Sequence, residues 1–499
     1  MALLPVLIRS AYYRGQFPDP LANDEFSYLL GADTFALGRI TNPPHPMWEH
    51  FETVQVISQP TYASRYPPAQ ALFMAAGKKF LGHPLYGVWI SFGLLCGCLC
   101  WMLQGWMPPL YALLGTLVGI GQIGVFGYWM NSYWGGAVAA AGGCLILGAA
   151  TRLERRPTLA TVVLGCFGVV LTVFSRPLEG CMAMLVAGAI VLTHRRARKR
   201  KLTELLRPVV IVPVLLLGSL TIAAMAYYNY RVTGKPWLMP YILYEHTYAR
   251  APFLLFMPVR QITYRHDTMR YYYEHESLQL FFTKRTHPWI NAFMLPRLLA
   301  FYGSTLIMFC AAAGALFGRS HRIRIALAVL AALCLIVLID KSPHIHYIAA
   351  GCGVIIALAM YGIRVACLNA GRFASALLLL FVAVAFGQGF MGVVQFGPNP
   401  RTVLARELMK TGGQHLVLVH DHWRQGFFDY VYNAADIDGA PIVWARDMGP
   451  EKNQELLNYY RGRKVWLLEA DLKADQLRTY PAKGTNAGSK PEESPTNEE

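Results

Sequence analysis

The residues with the clearest capacity for chemistry are an acidic pair, Asp24-Glu25, in the stretch Asn23-Asp24-Glu25-Phe26-Ser27-Tyr28. A carboxylate here can cap the free N–H groups of a helix running from Phe26 to Gly38. One carboxylate suffices for that. Two in succession, followed by aromatic residues, fit a site where one takes a proton from a hydroxyl. The same segment, Asp19 to His83, carries His45, Glu49, His50 and Glu52, then Ser64-Arg65-Tyr66-Pro67-Pro68-Ala69-Gln70. Arg65 offers a planar guanidinium suited to two-point phosphate contact. Lys78 and Lys79 stand at the edge of the next apolar run, where lysines commonly snorkel. Arg176 and Glu179 lie at a tight connection between two apolar runs. They are either solvated, paired with each other, or folded inward so that Arg176 reaches a phosphate. His344, His346 and Tyr347 open a late apolar run, as interface residues or as phosphate contacts.

Other patterns resemble metal motifs without the geometry for one. Cys96, Cys98 and Cys100 would point about 200° apart in succession on a helix. Asp436-Ile437-Asp438-Gly439 has the form of a common turn, and His420-Asp421-His422 cannot face one ion from a regular strand. The sequence lacks an octahedral carboxylate set, so no metal and no cofactor is expected. The aromatic stretch Arg270-Tyr271-Tyr272-Tyr273-Glu274 suits either sugar stacking or a bilayer surface.

Apolar runs must position these groups. The chain is 55% hydrophobic and 15% charged, and its apolar residues form runs long enough to cross a hydrocarbon core. That excludes a soluble enzyme. The spans fall near 85–106, 108–129, 132–151, 158–175, 178–193, 208–228, 293–317, 323–339, 345–364 and 374–395. The net charge of +16 sits in four clusters between spans: Arg152, Arg155 and Arg156; Arg195 to Lys201 with Arg207; Arg319, Arg322 and Arg324; Arg364 and Arg372. Such clusters mark cytoplasmic loops, so the charge reports topology and not a nucleic-acid partner. An even number of spans separates each cluster from the next, which places residues 1–84, 229–292 and 396–499 together on the outer face.

Residues 1–84 then comprise an outer loop preceded by Met1–Ile8, which is too short to span and is expected to be the end of a first helix whose earlier part is missing. Residues 85–395 form the membrane bundle. Residues 396–479 alternate helix and strand patterns as a small α/β domain, and 480–499 have the composition of a disordered tail. The ten cysteines lie in or beside apolar runs and are expected to be buried thiols.

Taken together, the Asp-Glu pair, Tyr66-Pro67-Pro68, the connection Tyr128-Trp129-Met130-Asn131-Ser132-Tyr133-Trp134-Gly135-Gly136, the Thr-Gly-Lys-Pro turn within Asn229 to Tyr244, and the late His-Tyr resemble the GT-C glycosyltransferases. The likeness is to bacterial members related to protein O-mannosyltransferases, lipid A aminoarabinose transferases and rhizobial lipopolysaccharide-core sugar transferases, over most of residues 15–365. It implies an α-helical polytopic membrane protein of GT-C type, with 10–11 transmembrane helices, in a bacterial inner membrane. It also implies transfer of a sugar from a polyprenyl-phosphate carrier to an acceptor hydroxyl on a glycan, lipid or protein, usually with inversion. Asp24 would be the base and Glu25 would assist, although either residue of such a pair can serve. Arg65, Arg176 and His346 would contact the donor phosphate, and Tyr66, Asn131, Trp134, Glu179 and Tyr347 would line the pocket. Two other classes compete: a transporter or flippase, which would carry ionisable or broken sites at mid-membrane, and a non-catalytic envelope assembly factor, which would tolerate loss of Asp24.

Overall fold

The computed structural model describes residues 17–125, 127–199, 201–318, 320–391, 398–421, 429–470 and 476–480, with Leu7 and Ala11. The expected end of a first helix, Arg319, His422 and the expected tail after Tyr480 lie outside the described residues.

The first loop is ordered around two helices, α1 (Asn23–Ala36) and α2 (Ala69–Leu81), joined through a small antiparallel pair, β1 (Val56–Ile57) and β2 (Ala63–Ser64). Glu25 caps α1, accepting from Leu21 N at 2.7 Å and Ala22 N at 3.1 Å. Helix α2, within the segment expected as an outer loop, packs against α3 (Pro84–Trp106). They touch at glycines: a Cβ on Gly87 would lie 1.8 Å from the Phe73 carbonyl oxygen.

Each expected apolar run is mainly helical over its described residues. After α3 come α4 (Pro109–Gly119), α5 (Ala137–Leu153), α6 (Leu159–Val173), α7 (Pro177–Ala197) and α8 (Pro208–Thr233). Then follow α9 (Pro240–Tyr248) and α10 (Leu278–Thr286) on the second large loop, and α11 (Trp289–Ala300), α12 (Thr305–Phe317), α13 (His321–Ile339), α14 (Cys352–Asn369) and α15 (Ala374–Met391). Among the described residues, five helices are long and apolar enough to cross a membrane singly, and four more are apolar but shorter. The run expected as one span over 293–317 is instead two helices, α11 and α12, bent by 106°. The wholly buried Tyr302 sits in the break and donates its hydroxyl to Ile345 O. Gly234, at φ +77°, ends α8, a left-handed conformation that glycine adopts without strain.

The four basic clusters gather at one end of the bundle, as the parity of spans requires. Arg195 Nη1 donates to Leu153 O at 2.9 Å, and His321 Nε2 meets Glu154 Oε2 at 2.9 Å. Arg322 and Tyr361, the latter one turn before Arg364, both donate to Trp106 O. The protein is an integral membrane protein.

Beyond the bundle, α16 (Pro400–Lys410) leads into β3 (His415–His420), β4 (Ile442–Arg446), α17 (Pro450–Tyr459), β5 (Lys464–Glu469) and β6 (Gln476–Thr479). The sheet order is β4-β3-β5-β6, parallel except for the β5–β6 pair. One face of this sheet shares a core with the first loop: Leu416, Val443 and Tyr432 pack with Phe26, Phe51 and Tyr62. Asp436-x-Asp438-Gly439 is a turn, with Gly439 N donating to Asp436 Oδ1 at 3.1 Å. All ten cysteines are free thiols; Cys181, contrary to expectation, is exposed.

Candidate active site

At the end opposite the basic clusters, helix starts and loop crossings converge on Asp24. Its position in the first turn of α1 is fixed by its neighbour. Beyond capping the helix, Glu25 accepts from Tyr133 N at 2.8 Å through its second oxygen. All three bonds come from backbone N–H groups, so Glu25 locks α1 to the Tyr128–Gly136 connection. Burial lifts its carboxyl above the ordinary range despite those bonds. Of the two duties read from the sequence, capping falls to Glu25, which also clamps α1 to that connection.

Asp24 is half-buried, and its carboxylate accepts no hydrogen bond from another described residue. Burial pushes its carboxyl up to about 6, against the pull of Arg65 and Arg176. Both cations belong to the same site. Arg65 lies over three rings, with Tyr66, Tyr241 and Tyr244 centroids at 5.0, 4.6 and 4.7 Å, and pairs with Glu245 at 3.2 Å. Arg176 faces Tyr347 at 4.8 Å and Glu179 at 3.9 Å. The tip between α6 and α7 therefore folds inward, and its two charges are also paired. Tyr28 stacks on Tyr66 at 4.4 Å, which ties α1 to the Tyr-Pro-Pro stretch. Between them, Tyr28, Gln70, Gly135 and Arg176 line a cavity of about 10 Å³, room for a single water.

Trp134 closes the other side, 5.1 Å from His344 and 5.2 Å from His346, and those two rings stack at 5.4 Å. Burial, helped by Arg176, Lys284 and Arg65, pushes His344 down to about 4, so it is neutral at physiological pH. Tyr347 lies beside both histidines. Asn131 is more remote from this chemistry: it is buried and donates to Gly127 O at 2.7 Å, which shapes the connection.

The structure thus brings Asp24, Arg65, Tyr66, Arg176, Glu179, Trp134, His346 and Tyr347 together, with Glu25 and Asn131 in supporting positions. Several partners escaped the sequence reading. Tyr241, Tyr244 and Glu245 form the cage around Arg65; their i, i+3, i+4 spacing directly after Pro240 was the available signal. Asp340, lifted to about 7 by burial, and Lys341, lowered by burial, close the loop before His344. Lys78, expected to snorkel, instead pairs with Asp33 at 2.5 Å. Tyr272 and Tyr273, which suited sugars or bilayer equally, pack inside the protein; Tyr273 stacks on Tyr264 at 5.6 Å. Arg65 Nε, Glu245 Oε2, His346 Nδ1 and Gln70 Oε1 are buried without a hydrogen-bond partner among the described residues. Such atoms are rare in folded proteins, and their clustering here fits a site built for a polar ligand.

No protein-family model matches the sequence, and no curated protein matches it. Among solved structures, the Archaeoglobus fulgidus oligosaccharyltransferase in complex with Zn and sulfate aligns with a TM-score of 0.52 at 14% identity, over 84% of this chain and 59% of that one. This chain has the GT-C fold. The same enzyme in its apo form aligns at a TM-score of 0.49 and 12% identity, over 84% of this chain and 61% of that one. ArnT from Cupriavidus metallidurans bound to undecaprenyl phosphate aligns at 0.48 and 11%, over 93% and 92%. The chain spans about three fifths of the length of the oligosaccharyltransferase.

Proposed function

We propose that this chain is a glycosyltransferase that moves a sugar from a polyprenyl-phosphate carrier to an acceptor hydroxyl at the outer face of a bacterial inner membrane. The observation that carries the reading is Asp24: a half-buried carboxylate, free of other side chains' hydrogen bonds among the described residues, lifted to about 6 and facing two guanidiniums. A base of that strength is ionised at neutral pH yet holds a proton well enough to take one as a bond forms. The GT-C fold shared with an oligosaccharyltransferase supports glycosyl transfer as the reaction class.

The chemistry is a single displacement. Asp24 removes the acceptor hydroxyl proton, the acceptor oxygen bonds to the anomeric carbon, and the carbon–oxygen bond to phosphate breaks on the opposite face with inversion. The bond electrons leave on the lipid phosphate, whose charge Arg65 and Arg176 offset, with His346 as a further contact. Glu25 holds Asp24 in place. No side chain in this scheme calls for a metal or a cofactor. The sugar-bearing lipid is a co-substrate, and the acceptor is a glycan, lipid or protein.

The deciding experiment is mass spectrometry of envelope glycans and lipid-linked sugars in a deletion strain complemented with wild type, Asp24→Asn or Glu25→Gln. Loss of one glycan modification with accumulation of its lipid-linked sugar, restored by wild type and not by Asp24→Asn, is expected. Normal modification in both variants at normal expression would reject the enzyme and leave an assembly factor.

A further inference from the structure

Three side chains with metal-ligand chemistry meet at the basic end, across the bundle from Asp24. Glu154 closes α5, His194 lies near the end of α7 and His321 opens α13. One ligand atom from each lies within 4.8 Å of the other two. Glu154 Oε2 is 2.9 Å from His321 Nε2 and 4.0 Å from His194 Nε2. The two imidazoles lie face to face, centroids 4.1 Å apart and 12° from parallel. The Glu154 side chain is only 4% exposed, and its other oxygen, Oε1, is buried without a hydrogen-bond partner among the described residues.

The 2.9 Å contact with His321 satisfies only one oxygen of Glu154. A carboxylate at a helix C-terminus faces the negative end of the dipole, and leaving one of its oxygens buried and unpaired costs more. A single divalent cation between the three groups would offset the buried carboxylate's charge and draw both imidazoles to one centre. One carboxylate oxygen with two imidazole nitrogens is the donor set of three-ligand zinc sites, where metal–ligand distances are about 2.0–2.2 Å. Arg198 and Arg324 also face His194, so a bound cation must form ligand bonds strong enough to outweigh their repulsion. Imidazole gives such bonds to Zn²⁺ and not to Mg²⁺ or Ca²⁺.

We propose that Glu154, His194 and His321 form a Zn²⁺ site that clamps α5, α7 and α13 at the basic end of the bundle, with its fourth position taken by water. Seating the ion requires His194 Nε2 to close on Glu154 by rotation of its side chain, and the ring stack to open so that both nitrogens converge. The site is separate from the sugar-transfer reading and stands or falls without it.

The test uses the full chain in detergent, stripped with a chelator and titrated with Co²⁺. Visible ligand-field absorption should saturate at about one equivalent per chain, be abolished by Zn²⁺ and be indifferent to Mg²⁺. Zn²⁺ should raise the unfolding temperature of wild type. Glu154→Gln, His194→Ala and His321→Ala should each weaken Zn²⁺ binding at least about tenfold. His287→Ala, at an exposed histidine outside the cluster, should bind as wild type does. Metal-free melting of each variant separates lost binding from lost folding; if a histidine variant does not fold, Glu154→Gln, which keeps the side-chain shape, decides. Absence of Co²⁺ absorption in stripped wild type, or unchanged Zn²⁺ affinity in the folded variants, would overturn the site.

Discussion

A carboxylate lifted to about 6 ties function and stability together with opposite signs. As a base, Asp24 must be ionised, so turnover should rise with pH through about 6 and fall roughly tenfold per unit below it. For folding the sign reverses: a raised carboxyl means the native state binds its proton more tightly than the unfolded chain. That stability is complete below the usual aspartate range and is lost as pH climbs through 6. Asp24→Asn should therefore lower transfer by about 10²- to 10⁴-fold while melting, at pH 8, no lower than wild type. A pH–rate profile and a melt in the same detergent read both. Loss of folding together with activity would mean that Asp24 is structural.

Arg65 behaves differently because it is buried against Glu245, with side chains 11% and 5% exposed. Removing one partner of such a pair strands the other and costs about 3–5 kcal/mol, so Arg65→Ala alone confuses chemistry with folding. Arg65→Ala combined with Glu245→Gln should melt higher than Arg65→Ala and remain inactive. If the double variant regains transfer, Arg65 serves only to neutralise Glu245.

At the scale of elements, the sharpest demand is on the crossing of α2 and α3. Gly87 has no room for a methyl group beside the Phe73 carbonyl, whereas a Cβ on Gly97, in the same helix, would meet nothing within 4 Å. Gly87→Ala should cost about 1–3 kcal/mol or more and shift Arg65, which enters α2 through Tyr66-Pro67-Pro68. Gly97→Ala should be neutral in a thermal melt. The same contrast explains what was legible in the sequence. Apolar runs announce themselves by length, so the helices of the bundle were legible in outline, five of them long enough to span singly among the described residues, and basic clusters marked which ends lie together. Helix α2 was hidden because it is short and joins α3 through only Gly82 and His83. The break before Thr305 was hidden because apolar residues continue through it, and only the packing of Tyr302 on Ile345 reveals it. Asp24, Arg65 and Arg176 were legible as charges out of place in an apolar chain. Their cage of Tyr241, Tyr244 and Glu245 was not, since tyrosines in a long loop serve many surroundings equally well.

For the molecule as a whole, the α/β domain is a buttress for α1. Phe26, two residues after Asp24, stacks on Tyr432 with centroids 4.5 Å apart and planes 4° from parallel. Tyr432 donates to Val54 O at 2.8 Å, and Thr53 donates to Asp429 at 2.6 Å. Arg446 stands at the centre of this seam, 2% exposed, with its Nε on Glu52 O and its two terminal nitrogens on Asp421 and Asp429. Arg446→Met fills similar volume but leaves Asp429 buried against an uncharged neighbour, at a cost of about 3–5 kcal/mol. That energy is local to the seam and absent from the bundle. Hydrogen exchange should therefore quicken in β3, β4 and the 52–57 segment and stay unchanged in α14. Transfer should fall with it, because the 52–57 segment also holds Tyr244, whose hydroxyl accepts from Gln55 N at 2.6 Å, and Tyr244 faces Arg65. Quickened exchange confined to the α/β domain, with full transfer, would show that the seam joins the domain to the loop without supporting the site. A variant that unfolds the bundle as well would show that the two share one cooperative unit, with Arg446 as part of its common core.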